Sequence, residues 1–131
     1  MKLILDTQSW LWWYHDPERL SPEAQRLIGN RDNVILFSAA SAWEIVIKHS
    51  LGKLMLPFPP KEWIPATLAE DRFTSLPIEL VHALEAGSLP DHHRDPFDRM
   101  IIAQALVENA PILTSDSQFR PYPVQLISAT A

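Results

Sequence analysis

Short apolar runs and longer amphipathic stretches alternate along this chain. Lys2 to Leu5 has the length and character of a buried strand. It feeds a stretch from Thr7 in which Trp10, Leu11, Trp13 and Tyr14 recur at spacings of one, three and four until Pro17 stops it. Ser21, Pro22 and Glu23 mark a helix start, with a serine cap, a proline at the first helical position and an acid favourable to the dipole, and Gly29 and Asn30 close that helix. Val34 to Phe37 reads as a second strand. Ile45, Val46 and Leu51 give Ser41 to Leu51 a helical period, with Gly52 placed to end it. Leu56 to Pro60 reads as a loop, Lys61 to Asp71 as a weaker helix that Pro65 is expected to interrupt, and Thr74 to Pro77 as a brief edge strand. Glu79 to Ala86 is helical in pattern and Leu89 to Arg94 is a polar loop. Asp95 and Pro96 then open a strong helix from Phe97 to Asn109, carried by Ile101, Ile102, Ala105 and Leu106. Ile112 to Thr114 and Val124 to Ile127 supply two final strands. Strands alternating with helices predict an α/β fold with a central, mostly parallel sheet surrounded by helices.

A chain of 131 residues, 47% hydrophobic and 21% charged, suits one globular domain over residues 1–131. Cysteine is absent, which excludes disulfides, thiolate zinc sites and cysteine nucleophiles and suits a reducing cytoplasm. The opening MKLILDT reaches an acid after three apolar residues, too soon for a secretory segment or a membrane span. Eleven basic against sixteen acidic side chains give a net charge of −5, the wrong sign for gripping nucleic acid by bulk electrostatics. Any contact with nucleic acid is therefore expected to be local or mediated by a metal.

Four carboxylates change the picture. Asp6 in LILDT and Asp116 in ILTSD follow predicted strands, and Glu44 in SAWEI and Asp98 in DPFDRM sit on first turns of predicted helices, each beside apolar residues. Acids there are costly to desolvate, and four of them converging repel one another unless a cation pairs with them. Magnesium or manganese takes oxygen ligands and supplies that charge. In an open α/β sheet the ligand crevice lies outside the carboxyl ends of the strands, where Asp6 and Asp116 fall. Asp98 shares a helix face with Ile102 and Ala105, which turns it inward. Each acid singly has a plainer role. Glu44 forms a capping box with Ser41 or pairs with Lys48, Asp95 and Asp98 suit a helix start, and Asp116 suits a turn. Independent caps give no reason for a strand-end Asp6 among apolar residues.

At these residues the chain resembles the PIN-domain family, and specifically VapC-type toxin ribonucleases. The segments that carry the resemblance are LILDT at 3–7, SAASAWEIVIKHSLGKL at 38–54, DPFDRMIIAQA at 95–105 and ILTSD at 112–116, in family order and spanning nearly the whole chain. The resemblance implies a PIN-like three-layer α/β/α fold and an endoribonuclease using one or two Mg2+ or Mn2+ ions. It puts the metal-binding acids at Asp6, Glu44, Asp98 and Asp116, with Asp95 as a supporting acid and Thr114 and Ser115 as hydroxyls that orient water or metal. Gln8 departs from the family, which often has histidine after LDT, and is expected to alter a supporting contact. Arg99 and Lys48 are candidates for meeting phosphates, although a solvated or salt-bridged surface role is the simpler reading of both. His92 and His93 are candidates for metal or RNA, with plain exposure in a polar loop favoured. The resemblance further implies a cognate antitoxin and a homodimer.

Five tryptophans are many for this length, and Trp10, Leu11, Trp12, Trp13 and Tyr14 cannot all face one core. The exposed remainder is expected to contribute to an antitoxin groove. Other functions compare poorly. A dehalogenase-type phosphatase needs an acid where Gln8 stands, and a dinucleotide site needs a glycine-rich turn that Gly29, Gly52 and Gly87 do not supply. A noncatalytic PIN-fold binding module and a structure-specific DNA nuclease remain as alternatives. Retention of all four acids argues against the first and the lack of a long basic insertion against the second.

Overall fold

All 131 residues are described in the computed structural model. They run as β1 (Lys2–Leu5), α1 (Thr7–His15), α2 (Pro22–Gly29), β2 (Val34–Ser38), α3 (Ala39–Ser50), α4 (Pro60–Asp71), β3 (Thr74–Leu76), α5 (Leu80–Ser88), α6 (Pro96–Glu108), β4 (Ile112–Thr114) and β5 (Leu126–Ser128), with single 3-10 turns at Pro17–Arg19 and Ser117–Phe119. The strands form one sheet in the order β3-β2-β1-β4-β5, and every pair is parallel. The chain builds outward from β1 to β2 and β3, then returns to β1's other side for β4 and β5. The reversal opens a crevice at the carboxyl ends of β1 and β4.

Alternation within the strands separates two cores. Leu3, Leu5, Ile35, Phe37 and Leu113 point to one face, where they meet Trp10, Leu11, Ala24, Ile28, Trp63 and Ile64 from α1, α2 and α4. Ile4, Leu36 and Ile112 point to the other and meet Ile101, Ile102 and Ala105 of α6, together with Phe119 and Tyr122. Apolar side chains on both faces require helices on both faces, so the α/β/α layering follows from β1, β2 and β4 being short continuous apolar runs. Trp10 is fully buried, with its ring 4.5 Å from that of Phe37 and 5.3 Å from that of Trp63. No helix is long and apolar enough to cross a membrane.

Several expected boundaries move. Helix α3 starts at Ala39 under Ser38, whose hydroxyl accepts from the Ala40 amide at 3.0 Å, so Ser41 is not its cap. Ser41 is instead buried inside the helix and accepts a 2.8 Å bond from the Thr7 hydroxyl. Glu44 consequently lies on the second turn. Pro65 does not interrupt α4, which runs unbroken from Pro60 to Asp71. Proline removes the amide that would bond the Lys61 carbonyl, but Lys61 and Pro65 are both exposed and water can satisfy that oxygen. The last strand is Leu126–Ser128, two residues later than the apolar run at Val124 suggests at its start.

Candidate metal centre

The switch point collects the acids. Asp6 caps α1, accepting from the Ser9 amide at 2.9 Å, and its second oxygen accepts from the Thr114 hydroxyl at the end of β4. Thr114 in turn accepts from the Asp116 amide at 3.0 Å, which ties the two strand-end acids through one buried hydroxyl. Asp116 caps the turn after β4 by accepting from Gln118. On α6, Asp95 is the cap, accepting from the Phe97 and Asp98 amides at 2.9 and 3.0 Å. Asp98 stands one position further along the chain than Phe97, half buried beside that cap.

One cavity of about 450 Å³ is lined by Asp6, Glu44, Asp95, Asp98 and Asp116, with Gln8, Lys48, Lys53 and Ser115 also contributing. Gln8 and Ser115 are exposed, whereas Thr114 is buried behind the wall. Lys48 bonds Glu44 at 2.7 Å, so its ammonium serves a carboxylate, and that partner raises the Lys48 pKa. Glu44 itself is buried, and its Oε1 has no partner at all. Burial, aided by the charge of Asp116, pushes the Asp6 carboxyl above its ordinary value against the bonds from Ser9 and Thr114. Burial, Asp95 and Glu44 push Asp98 up to about 7, while His93 pulls it down.

These features fit a divalent cation. Five acids share a hollow with two lysines, one carboxylate oxygen is buried without a donor, and burial and neighbouring charge raise the pKa of two of the carboxyls. An oxygen-seeking dication would answer all three. Asp98 and Asp116 bring carboxylate oxygens within 4.8 Å of each other, while Asp6, Glu44 and Asp95 line the same cavity outside that cluster; Asp6, Glu44, Asp98 and Asp116 could hold the ion.

Two expectations about cations and imidazoles need correction. Arg99 is half-buried and makes no salt bridge. Its guanidinium donates to the carbonyls of Ala86, Leu89, Pro90 and His93 at 2.8 to 3.1 Å, a geometry that the five-donor fork suits. His92 is exposed as expected, but His93 is buried, with 5% of its surface accessible. Its Nε2 lies 2.8 Å from Asp98 Oδ2, and a ring nitrogen with carboxylate oxygens of Asp98 and Asp116 forms a cluster within 4.8 Å.

The family model for the PIN domain matches residues 3–124 of this chain, a span that holds every one of these acids. The chain belongs to the PIN domain family. Ribonuclease VapC22 of Mycobacterium tuberculosis (strain ATCC 25618 / H37Rv) is 26% identical to this PIN domain over 121 residues, 92% of this chain and 91% of that protein. Ribonuclease VapC16 of the same organism is 39% identical over 61 residues, 47% of this chain and 42% of its own. Among solved structures, VapBC2 from Rickettsia felis bound to a promoter DNA fragment contains a chain that superposes with a TM-score of 0.70 at 18% identity, covering 97% of this chain and 98% of that one. VapBC-1 from nontypeable Haemophilus influenzae gives 0.64 at 20%, covering 98% of both. At these identities the structures share the PIN fold with this chain.

Proposed function

We propose that this PIN domain, residues 1–131 acting as one unit, is a metal-dependent endoribonuclease of the VapC type, the toxin of a toxin–antitoxin pair, that hydrolyses phosphodiester bonds in RNA. The convergence of Asp6, Glu44, Asp98 and Asp116 on one cavity, with Glu44 Oε1 buried and unpaired, carries the reading. The names of the Mycobacterium relatives support RNA as substrate, and the VapBC assemblies support an antitoxin partner.

Asp6, Glu44, Asp98 and Asp116 would hold Mg2+ or Mn2+. Such an ion acidifies water and offsets charge on the phosphoryl oxygens in hydrolysis. The protein's own groups set the rest. A carboxylate on the cavity wall is placed to take a proton from attacking water. Thr114 fixes Asp6 through its hydroxyl and so fixes where the strand-end carboxylates face. Ser115 is exposed on the cavity wall, within reach of water. Lys53, exposed at the same wall and free of an ion pair, offers charge to an incoming phosphate.

The acidic chain suits a basic antitoxin segment laid across the cavity. Trp10 takes no part, being wholly buried, while Trp12, Trp13 and Tyr14 keep partly exposed faces on α1 for an antitoxin groove. A homodimer in the cytoplasm completes the reading. Purified chain incubated with a panel of transfer RNAs and structured RNAs should cleave with magnesium or manganese and stop with chelator or in Asp98→Asn. Cleavage that persists through either change defeats the proposal, and manganese binding without cleavage of any RNA would favour a noncatalytic module.

A further inference from the structure

The loop from Leu89 to Asp95 joins α5 to α6 with no helix or strand, yet two side chains from elsewhere hold it in place. Tyr122, after β4, accepts from the amides of His92 and His93 at 3.1 and 2.8 Å and donates its own proton to the Pro90 carbonyl at 2.7 Å. Arg99, one turn into α6, spreads its guanidinium over four carbonyls, among them those of Pro90 and His93. A guanidinium spent on backbone oxygens and the Tyr122 hydroxyl, next to a hollow full of carboxylates, is an unusual use of charge. Its effect is to fix the path of the loop on both sides of one residue, His93. The imidazole of that residue packs edge-on to Phe119, with centroids 5.9 Å apart, and its Nε2 meets Asp98 Oδ2 at 2.8 Å.

We infer that His93 is a positioning residue of the acidic centre: Tyr122 and Arg99 lock its loop, and its Nε2–H holds one oxygen of Asp98 so that the other is presented to the cation. The inference rests on the reading of the acids as a cation site and names a residue that acts through one of them. Carboxylate ligands need such partners, because a carboxylate free to rotate pays entropy on binding and presents a poorer geometry. With its proton on Nε2 the imidazole donates to Asp98 through that nitrogen, which is then not free to ligate. Asp98 is the acid in need of this help, since its neighbours Asp95 and Glu44 repel it rather than orient it.

The test titrates Mn2+ alone into the full chain and follows the free ion by electron paramagnetic resonance. His93→Leu should weaken manganese binding by 10- to 100-fold, on the scale found for partners of metal ligands. His93→Gln, whose amide nitrogen stands near the place of Nε2, should recover most of the affinity, a rescue that a packing role would not produce. Tyr122→Phe keeps the ring and removes only the hydroxyl; it should weaken binding less than His93→Leu and still measurably, and it tests the lock if the leucine variant does not fold. His92→Ala should bind as wild type does. Equal affinity of wild type, His93→Leu and Tyr122→Phe would overturn the inference while leaving the acidic site intact. Nitrogen modulation from an imidazole directly on the bound manganese would overturn it in favour of a ligand role. Failure of the wild type to bind manganese would instead remove the cation site on which the inference rests.

Discussion

At the scale of single residues the molecule stores its tension in Asp98. Burial and the charges of Asp95 and Glu44 lift its pKa from 3.8 to about 7, so the folded chain keeps a proton that the unfolded chain releases near pH 4. A raised carboxyl pKa stabilises the fold fully below the unfolded value, and that contribution is lost as pH climbs through the folded value. In chelator, the melting temperature should therefore carry a component that falls between about pH 4 and about pH 7. Asp98→Asn, neutral at every pH, should remove that component, which thermal unfolding of the two proteins side by side by circular dichroism would read as the variant gaining on the wild type as pH rises from about 4 to about 7. Asp6 is shifted in the same direction by burial, so its contribution has the same sign. Asp6 and Asp116 were legible in the sequence because each follows a strand, and Asp98 because it opens a helix, whereas Glu44 was placed a turn too early in α3. His93 was not, because a polar loop has no period and the burial of that residue is decided by Tyr122, 29 positions away. Arg99 misled for a related reason: the carbonyls that occupy it belong to irregular backbone whose course a sequence does not give.

At the scale of elements, α6 begins with a residue doing two jobs. Asp95 satisfies the Phe97 and Asp98 amides and also crowds Asp98 with negative charge. These effects separate by substitution. Asp95→Asn keeps an accepting oxygen at the cap and removes the charge, whereas Asp95→Ala removes both. Urea unfolding should place the alanine variant about 1 kcal/mol below the asparagine variant, and the Asp98 pKa, followed by carboxyl NMR, should drop in each. Equal stability of the two would show that the side-chain oxygen adds nothing at this helix start. Caps of this kind made α2 and α6 easy to find from sequence. The start of α3 was harder, because Ser38 and Ser41 are each capable caps, and the choice falls to Ser38 since Ser41 is drawn against Thr7 across the helix pair. Pro65 shows the converse, a breaker tolerated where its freed carbonyl can reach water.

At the scale of the whole molecule the two cores and the acidic hollow pull in opposite directions. Leu113 is fully buried in the first core on β4, beside Thr114 and three residues before Asp116. Leu113→Ala should cost about 2 to 5 kcal/mol of stability by emptying that position, read as a lowered urea midpoint. A divalent ion should offset the strain of the hollow. Manganese at a hundred times its dissociation constant should stabilise the fold by about 2.7 kcal/mol, a rise of roughly 10 °C for a chain of this size. The gain should shrink sharply in Glu44→Gln. An unchanged melting temperature with saturating manganese would mean that the carboxylates do not close on an ion. Layering and parallel strands were evident in the alternation of apolar runs and helices. The sheet order was not, since nothing local tells β4 to return beside β1.

That return has a consequence for how the protein is made. Asp6 and Thr114 bond across 108 positions, and the cavity spans the strands they terminate. During translation the first carboxylate waits through the 108 positions that separate it from Thr114 before that partner arrives. A nascent chain that stops short of β4 therefore lacks both Thr114 and Asp116, and its acidic hollow stays unassembled.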